Sequence, residues 1–230
     1  MSEIRGALRQ FFWEDEGTLN VGREVFLGKD LTHRLVKVLR LKEGDRIALI
    51  DGMTGRYAAV LTDSGKRARV EEKQVDIQTE KLGPVLLLGM PKREALEAVL
   101  RQATEMGVSA IVPVRCDFSQ NVRLNEERTR RMVMEAAEQC ERLTLPKIEP
   151  MKTVREAVEE VDGVVLWADE TAVPENGDMQ GAVAFLVGPE GGFSVEESEM
   201  LRGMKNVRGI SLGPRILRVD TAVVAGLSRM

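Results

Sequence analysis

Two glycine- and proline-rich segments in the last fifth of the chain have the residue types of ligand-binding loops. Residues 188–192 read Gly-Pro-Glu-Gly-Gly, and residues 211–222 contain Gly213-Pro214 followed by Ile216-Leu217-Arg218. Each segment follows a short apolar run and precedes a stretch with a helical pattern. In open α/β sheets such loops lie at the carboxyl ends of strands, where ligands bind. We therefore expect the two loops to form one binding site.

The first loop is weak evidence when it is taken alone. Its glycines lack Cβ and let the backbone pass close to a ligand. The loop departs from the dinucleotide pattern G-x-G-x-x-G and has no Gly-Lys-Ser/Thr. Glu190 also disfavours a nucleotide-dependent enzyme that uses this loop for phosphate, because its charge repels phosphate. The pattern fits a structural turn as well as a ligand loop.

The second loop shifts this balance towards a ligand. Ile216 and Leu217 are two large apolar residues between a Gly-Pro turn and an arginine, and their exposure makes sense if they cover a flat apolar group such as a purine ring. Arg218 then places a fixed positive charge beside that group. The alternative is that Ile216 and Leu217 are core residues and Arg218 is an ordinary surface charge.

From Val85 onward the chain alternates between short apolar runs and helical patterns. The run that begins at Val85 has no polar residue, as expected for a strand that is covered on both faces. Two capping boxes, Thr153 to Glu156 and Ser194 to Glu197, predict the starts of two helices. Strands that alternate with helices predict a mostly parallel sheet with helices on both faces.

The first 75 residues read differently, as a small β-rich module. Short apolar runs are separated by turns at close spacing, and Asp51-Gly52 between two of these runs predicts a hairpin. Such a pattern is typical of a small barrel. Residues 74–83 form a polar segment that leads into Gly83-Pro84, which predicts a boundary between a domain at residues 1–75 and a second at residues 76–230.

Composition excludes several classes of protein. The chain has 230 residues, 43% of them hydrophobic and 30% charged, which is typical of a globular protein, and it contains no run of 18 apolar residues. Residues 1–5 lack the apolar stretch of a signal peptide, so we expect a cytoplasmic protein. The two cysteines and the single His33 have no metal-ligand spacing, so we expect free thiols and no metal.

Charge is distributed unevenly along the chain, whose net charge is −4. Residues 1–75 carry 14 Lys and Arg against 12 Asp and Glu, whereas the remainder carries 19 against 25. This asymmetry favours a polyanionic partner at the amino-terminal end. Ordinary variation of surface charge explains it equally well.

The two loops together identify a known family. Residues 186–194 and 212–222 closely resemble the RsmE-type 16S ribosomal RNA uridine-N3 methyltransferases of the SPOUT superfamily, and weaker matches at residues 33–45, 103–108 and 138–146 extend the resemblance over nearly the whole chain. Val219-Asp220 departs from the Thr-Glu that is usual in this family. The resemblance implies an α/β fold in which a carboxy-terminal SPOUT domain with a trefoil knot follows an amino-terminal PUA-like β-barrel that binds RNA.

The resemblance also implies a cofactor, an oligomeric state and site residues. The family binds S-adenosylmethionine in the knot, acts as a homodimer on 16S ribosomal RNA or the small subunit, and takes part in rRNA processing. Carried over to this sequence, the cofactor-binding residues are Leu166, Gly188, Glu190, Gly191, Gly192, Leu212, Gly213, Ile216, Leu217 and Arg218, with Trp167 as a weaker candidate.

Methyl transfer to a uracil requires in-line placement and a nitrogen that gives up its proton. We expect Arg218 to be catalytic, because its charge can stabilise the negative charge that spreads onto the uracil carbonyl oxygens. Glu190 and Asp220 are possible proton acceptors. The candidate RNA-binding residues are Arg9, Arg34, Arg40, Gln139 and Arg142.

Two other functions stay open at this point. One is a SPOUT methyltransferase for a different RNA position. The other is a non-catalytic RNA-binding or ribosome assembly factor that keeps the fold. Binding of S-adenosylmethionine, measured by calorimetry, separates an enzyme from a pure binding module.

Overall fold

A computed structural model describes residues 8–15, 17–121, 124–172 and 181–230. Residues 1–5, on which the expectation about a signal peptide rests, lie outside the described residues. Within the described ranges, no helix has the length and apolar character to cross a membrane. The chain divides into two units, Met1–Lys81 with Ala137–Thr144 and Leu82–Ala136 with Leu145–Met230. The predicted boundary between residues 75 and 76 stays a prediction.

The amino-terminal unit is a curled five-stranded sheet, in agreement with the PUA-like barrel expected from the sequence. Its strands are β1 (Gln10–Phe12), β2 (Glu24–Phe26), β3 (Arg46–Ile50), β4 (Gly55–Thr62) and β5 (Arg67–Asp76). They are hydrogen-bonded in the order β1-β3-β4-β5-β2, and only the β1–β3 pair among them is parallel. The two edge strands of this order are β1 and β2. The indole N–H of Trp13, the residue after β1, donates to the carbonyl of Phe26 in β2 at 2.8 Å and links these two edges.

The predicted Asp-Gly hairpin joins β3 and β4. The carboxylate of Asp51 accepts hydrogen bonds from the backbone N–H groups of Leu19, Met53 and Thr54 and from the Thr54 hydroxyl. Burial raises the pKa of Asp51, but these hydrogen bonds outweigh it and lower the pKa below the ordinary value. The turn thus fixes the register of the two strands. Phe11 and Phe12, in β1, are buried.

A helical segment lies between β2 and β3. Helix α1 (Gly28–His33) continues into a π-helical turn over Arg34–Val38. The segment begins at Gly28, and Leu27 occupies its N-cap position. Thr32 lies inside the helix. It ends at Val38, and Arg40, two residues later, adopts the left-handed conformation with φ of +58°.

The second unit contains a parallel sheet, as the sequence predicts. Its strands are β6 (Val85–Gly89), β7 (Ala110–Arg115), β8 (Lys147–Ile148), β9 (Lys152–Thr153), β10 (Val164–Ala168), β11 (Ala182–Val187) and β12 (Val207–Ile210). They are ordered β12-β10-β11-β6-β7-β8, with β9 also paired to β7, and every one of these pairs is parallel. The carboxyl ends of β6, β10, β11 and β12 therefore lie along one edge of the sheet.

Helices cover both faces of this sheet. They are α2 (Arg93–Glu105), α3 (Glu126–Gln139), α4 (Val154–Glu159), α5 (Val195–Gly203) and α6 (Val219–Leu227). One apolar cluster joins the sheet to α2 and α6, and a second joins it to α4 and α5. Both predicted capping boxes are present, at Thr153 and Ser194.

Helix α6 packs closely on β11. At Gly226 a Cβ atom would overlap the ring of Phe185, which is itself fully buried. The absence of a side chain at Gly226 therefore sets how near the last helix comes to the sheet. Because the loop of residues 211–218 leads directly into this helix, the same contact also fixes where that loop ends.

Candidate functional site

The loop after β11, residues 188–193, is held on several sides. The backbone N–H of Lys92 donates to both carboxylate oxygens of Glu190, at 3.0 and 3.3 Å. Lys92 is the N-cap residue of α2, so Glu190 also places its negative charge at the start of that helix. Gly192 closes the turn by donating to the carbonyl of Pro189 at 2.9 Å, with φ of +67°. Hydrogen bonds therefore hold this loop in one conformation.

The loop after β12, residues 211–218, is much more exposed. The guanidinium of Arg229 donates to the carbonyl oxygens of Ser211 and Leu212, at 2.9 and 3.4 Å. Gly213 has a φ of +124°, in the region that favours glycine. The Ile216 side chain is 83% exposed, whereas Leu217 is half-buried and packs against the core. The alternative that Ile216 is a core residue is therefore wrong.

Both loops line one cavity with a volume of about 840 Å³. This size falls within the range of pockets that hold small molecules. Nine of the ten residues expected to bind a cofactor line the cavity: Gly188, Glu190, Gly191, Gly192, Leu212, Gly213, Ile216, Leu217 and Arg218. The tenth, Leu166, is fully buried and belongs to the core below, and its neighbour Trp167 lines the cavity instead.

Arg218 and Asp220 meet the cavity at the start of α6. Arg218 occupies the N-cap position, with an exposed side chain that makes no capping hydrogen bond. Asp220 lies in the first turn of α6 and also lines the cavity. Glu190 is less available as a proton acceptor, since its carboxylate already accepts the N–H of Lys92.

A polar cluster at the end of β10 also borders the cavity, and the sequence did not reveal it. Asp169 is buried and accepts hydrogen bonds from the backbone N–H and hydroxyl of Thr171, at 2.9 and 2.7 Å. The guanidinium of Arg202 donates to Asp169 at 3.2 Å and lies over the ring of Trp167, 5.4 Å from its centroid. Asp169 directly follows the apolar run Val164 to Ala168, which is the signal that could have suggested it. Nothing in the sequence pairs it with Arg202.

Two of the candidate RNA-binding arginines form ion pairs within the amino-terminal unit. Arg34 lies 2.6 Å from the carboxylate of Glu138, which also accepts the N–H of Phe12. Arg142, whose side chain is 8% exposed, pairs with Glu80 at 3.4 Å. These contacts connect the segment Ala137–Thr144 to the rest of its unit.

The other three RNA-binding candidates, Arg9, Arg40 and Gln139, are exposed. Gln139 and Arg142 do not lie on one helical face. Helix α3 ends at Gln139, and the left-handed residue Glu141 turns the chain so that the N–H of Arg142 donates back to the carbonyl of Ala137. This turn directs Arg142 inward.

Within the described ranges, no group of three or more His, Cys, Asp or Glu side chains is placed to hold a metal ion. Cys116 and Cys140 are free thiols. Burial raises the pKa of Cys116 to about 11, despite a hydrogen bond with Ser119. The thiol is therefore protonated at neutral pH and a poor nucleophile.

Comparison with known proteins agrees with this architecture. Residues 79–230 match the family model of an RNA methyltransferase domain, and residues 28–73 match that of an RNA methyltransferase PUA domain. The chain is 33% identical to ribosomal RNA small subunit methyltransferase E from Rickettsia conorii, over 86% of this chain and 85% of that protein. It is 34% identical to the protein of the same name from Synechocystis, over 86% and 69% of the two chains.

A solved structure shows the same fold. The crystal structure of a ribosomal RNA small subunit methyltransferase E from Neisseria gonorrhoeae, bound to S-adenosyl methionine, superposes with a TM-score of 0.82 at 28% identity and covers 97% of both chains. The parallel sheet, the two loops at its edge and these similarities in sequence and structure lead to one assignment: the chain belongs to the ribosomal RNA small subunit methyltransferase E family, with its SPOUT fold and carboxy-terminal trefoil knot.

Proposed function

We propose that this protein methylates N3 of one uridine in the RNA of the small ribosomal subunit and that it acts as a homodimer. Its family membership makes it an S-adenosylmethionine-dependent methyltransferase of small-subunit ribosomal RNA. The N3 position, the homodimer and the roles of single residues are the parts that we propose here.

The observation that supports the proposal most directly is the shared cavity. Two loops separated by about 20 residues of intervening chain end at the same edge of the sheet and line one space of about 840 Å³. Had they faced different sides of the unit, neither loop would have had enough backbone and apolar surface to hold a nucleoside.

The residues around this cavity fit S-adenosylmethionine. The indole N–H of Trp167 is buried and has no hydrogen-bond partner among the described residues, although this side chain lines the cavity. Ile216 presents an exposed apolar side chain, and Leu217 is half-buried beside it. At Gly192 and Gly213 nothing lies within 4 Å of a hypothetical Cβ. The cavity thus has apolar side chains that can cover a purine, glycine backbone that a ligand can approach, and an indole N–H that is free to donate a hydrogen bond.

We propose that the backbone of residues 188–192 and 211–218 holds the cofactor and that Ile216 and Leu217 cover its purine. When bound, S-adenosylmethionine supplies an electrophilic methyl group on a sulfonium. The protein needs to supply only placement and electrostatic support, because this transfer uses neither a metal nor a covalent enzyme nucleophile.

Arg218 supplies the electrostatic support in this proposal. Loss of the N3 proton leaves negative charge on the two carbonyl oxygens of uracil, and the guanidinium of Arg218, at the start of α6, stabilises that charge. The proton leaves to Asp220, which lines the same cavity, or to solvent. Glu190 acts as an anchor for the first loop through its contact with Lys92.

We propose that residues 1–75 form the RNA-binding domain and residues 76–230 the methyltransferase domain. Arg9, Arg40 and Gln139 are the exposed candidates for contact with RNA. Arg34 and Arg142 hold the amino-terminal unit together through Glu138 and Glu80.

The homodimer is supported by the composition of α6. This helix reads Val-Asp-Thr-Ala-Val-Val-Ala-Gly-Leu, and Val224 and Ala225 are only partly buried within the chain. A helix that is apolar nearly all round is usually covered on all sides. We also propose a cytoplasmic location, where small ribosomal subunits are found.

The decisive experiment is methylation of small subunits from a strain that lacks the endogenous enzyme. The protein and S-adenosylmethionine are added, and the modified nucleotide is identified by mass spectrometry. We expect a single N3-methyluridine. A methyl group at another position assigns the chain to a different target, and calorimetric heat with S-adenosylmethionine but no product supports a binding factor.

Free RNA and assembled particles should be compared in the same assay. A preference for particles means that the amino-terminal domain reads folded shape rather than sequence. Analytical ultracentrifugation of the protein alone tests the dimer, and a monomer at micromolar concentration contradicts it.

A further inference from the structure

A second and larger cavity lies beside the first, in the same unit. It has a volume of about 1290 Å³ and is formed by the carboxyl end of β7, the first two turns of α3 and residues 145–151. The family resemblance assigned no role to these residues, and the cavity lining contains none of the cofactor candidates.

The lining combines an apolar floor with charged side chains. The apolar members are Met90, Pro113, Leu124, Val133, Leu145, Pro146, Ile148, Pro150 and Met151. The charged members are Arg115, Arg130 and Lys147 on the positive side and Glu126 and Glu149 on the negative side. Cations thus outnumber anions here, although the chain as a whole carries a net charge of −4.

An exposed aromatic residue stands on the turn between the two cavities. Phe118 is 49% exposed and packs on Gly191, where a Cβ would lie 2.9 Å from the Cβ of Phe118. Neighbours of Phe118 on the same turn, Cys116 and Ser119, line the second cavity, whereas Gly191 lines the first.

This turn is rigid. The N–H of Asp117 donates to Glu197 at 3.0 Å, and the N–H of Cys116 donates to the hydroxyl of Ser119 at 2.9 Å. The N–H of Gln120 donates to the carbonyl of Met90, also at 2.9 Å. An exposed aromatic ring on a fixed turn loses little conformational entropy when a flat ligand stacks on it.

The linings of the two cavities come close together just after β6. Met90 follows β6 and lines the second cavity, and Lys92, two residues later, lines the first. A ligand in the second cavity is therefore a near neighbour of whatever occupies the first.

We infer that the second cavity and Phe118 form a subsite for a nucleotide of the RNA that flanks the target uridine. This inference rests on the proposed function. The base stacks on Phe118 or enters the apolar floor, and Arg115 and Lys147 contact the adjoining phosphates. Base stacking on aromatic side chains and cationic contacts to phosphate are the usual means of holding unpaired RNA. The cationic side chains match the phosphates of RNA, and the exposed ring and the apolar residues match a flat base.

The test compares Phe118→Ala, Phe118→Tyr and Arg115→Ala with the original protein. We expect Phe118→Ala to raise KM for undermethylated small subunits about tenfold, since stacking contributes on the order of tenfold or more per base. Phe118→Tyr keeps a ring and should restore KM to within about twofold, and Arg115→Ala should raise KM severalfold and make binding less sensitive to salt. Leu82→Ala and Arg155→Ala, which change exposed residues outside both cavities, are the matched controls.

The readouts separate this inference from the proposed function. The affinity for S-adenosylmethionine, measured by calorimetry, should stay within about twofold in every variant. If the original protein methylates its target and Phe118→Ala has the same KM, the subsite is wrong and the proposed function stands. If Phe118→Ala instead weakens self-association in ultracentrifugation, the surface is a contact between copies and the RNA subsite is overturned.

Discussion

The two loops that line the smaller cavity are held in opposite ways. Residues 188–193 are braced by Lys92, by the turn at Gly192 and by the capping box at Ser194. Residues 211–218 are held by the hydrogen bonds from Arg229 and by the packing of Leu212 and Leu217 on the core, and Ile216 extends into solvent. The first loop is therefore preformed, and we expect the exposed side chains of the second loop to gain contacts when a ligand binds. Substitutions in the first loop should consequently change both cofactor affinity and stability, whereas those in the second should change affinity or turnover alone.

The largest effect is expected at Arg218. Arg218→Ala should lower kcat about 100-fold or more at saturating cofactor and RNA, because removal of one donor to a developing oxyanion costs roughly 10²–10³ in rate. Arg218→Lys should recover part of kcat, since the charge remains. Lys205→Ala, an exposed cation after α5, is the control. Near-normal turnover of Arg218→Ala would show that this arginine is not catalytic.

Substitution of Glu190 should have a smaller effect, which should lower both the affinity for S-adenosylmethionine and the thermal stability. Glu190→Ala removes a charged acceptor from the Lys92 N–H, so the first loop loses its tie to α2. We expect the dissociation constant for S-adenosylmethionine to rise about tenfold and Tm to fall by a few degrees. Calorimetry and thermal unfolding measure the two changes. Glu199→Ala on α5 should change neither, and a Glu190 variant with unchanged affinity contradicts the bracing role.

Ile216 should affect affinity without affecting stability. Ile216→Ala removes apolar surface that is already in water, so the free energy of unfolding should stay within about 0.5 kcal/mol. The affinity for S-adenosylmethionine should fall about fivefold, because the purine loses part of its cover. Val183→Ala, at the exposed amino end of β11, is the matched control. A loss of stability in Ile216→Ala would mean that Ile216 is a packing residue.

The smallest effect is expected at Arg229. Arg229→Ala removes two solvent-exposed hydrogen bonds to residues 211 and 212, each of which contributes about 1 kcal/mol or less. The second loop then becomes less ordered before binding, and KM for S-adenosylmethionine should rise two- to threefold with kcat unchanged. Steady-state kinetics test this, with Ser228→Ala as the control. An effect as large as that of Glu190→Ala would contradict the contrast between the two loops.

Much of the second unit could be predicted from sequence because its signals are local. The capping boxes at Thr153 and Ser194, and the apolar run that forms β6, each depend on a few adjacent residues. The two-residue strands β8 and β9 were missed, since two residues hold no periodicity. Helix α6 begins at Val219, directly after the loop that contains Ile216 and Leu217, and no capping box marks its start.

The site was predicted as far as its loops but not as far as its supporting contacts. The resemblance supplied residues 188–192 and 212–218, and the structure places both loops on one cavity. The pairs Asp169–Arg202 and Arg142–Glu80 join residues that are distant in sequence, so no spacing rule could reveal them. Arg142 is an example, because the sequence offers it as a contact to RNA and the turn at Glu141 instead buries it beside Glu80.

The contact between Gly226 and Phe185 has a consequence for inherited variation. Every missense change in a glycine codon adds at least one carbon, and at position 226 that carbon has nowhere to go. Natural or laboratory alleles at this codon should therefore abolish the protein as often as alleles at the chemical centre abolish activity, although Gly226 does not line the cavity. A genetic screen that scores only lost methylation would not distinguish changes at Gly226 from changes at the chemical centre. The amount of soluble protein would distinguish them, because only the changes at Gly226 should reduce it.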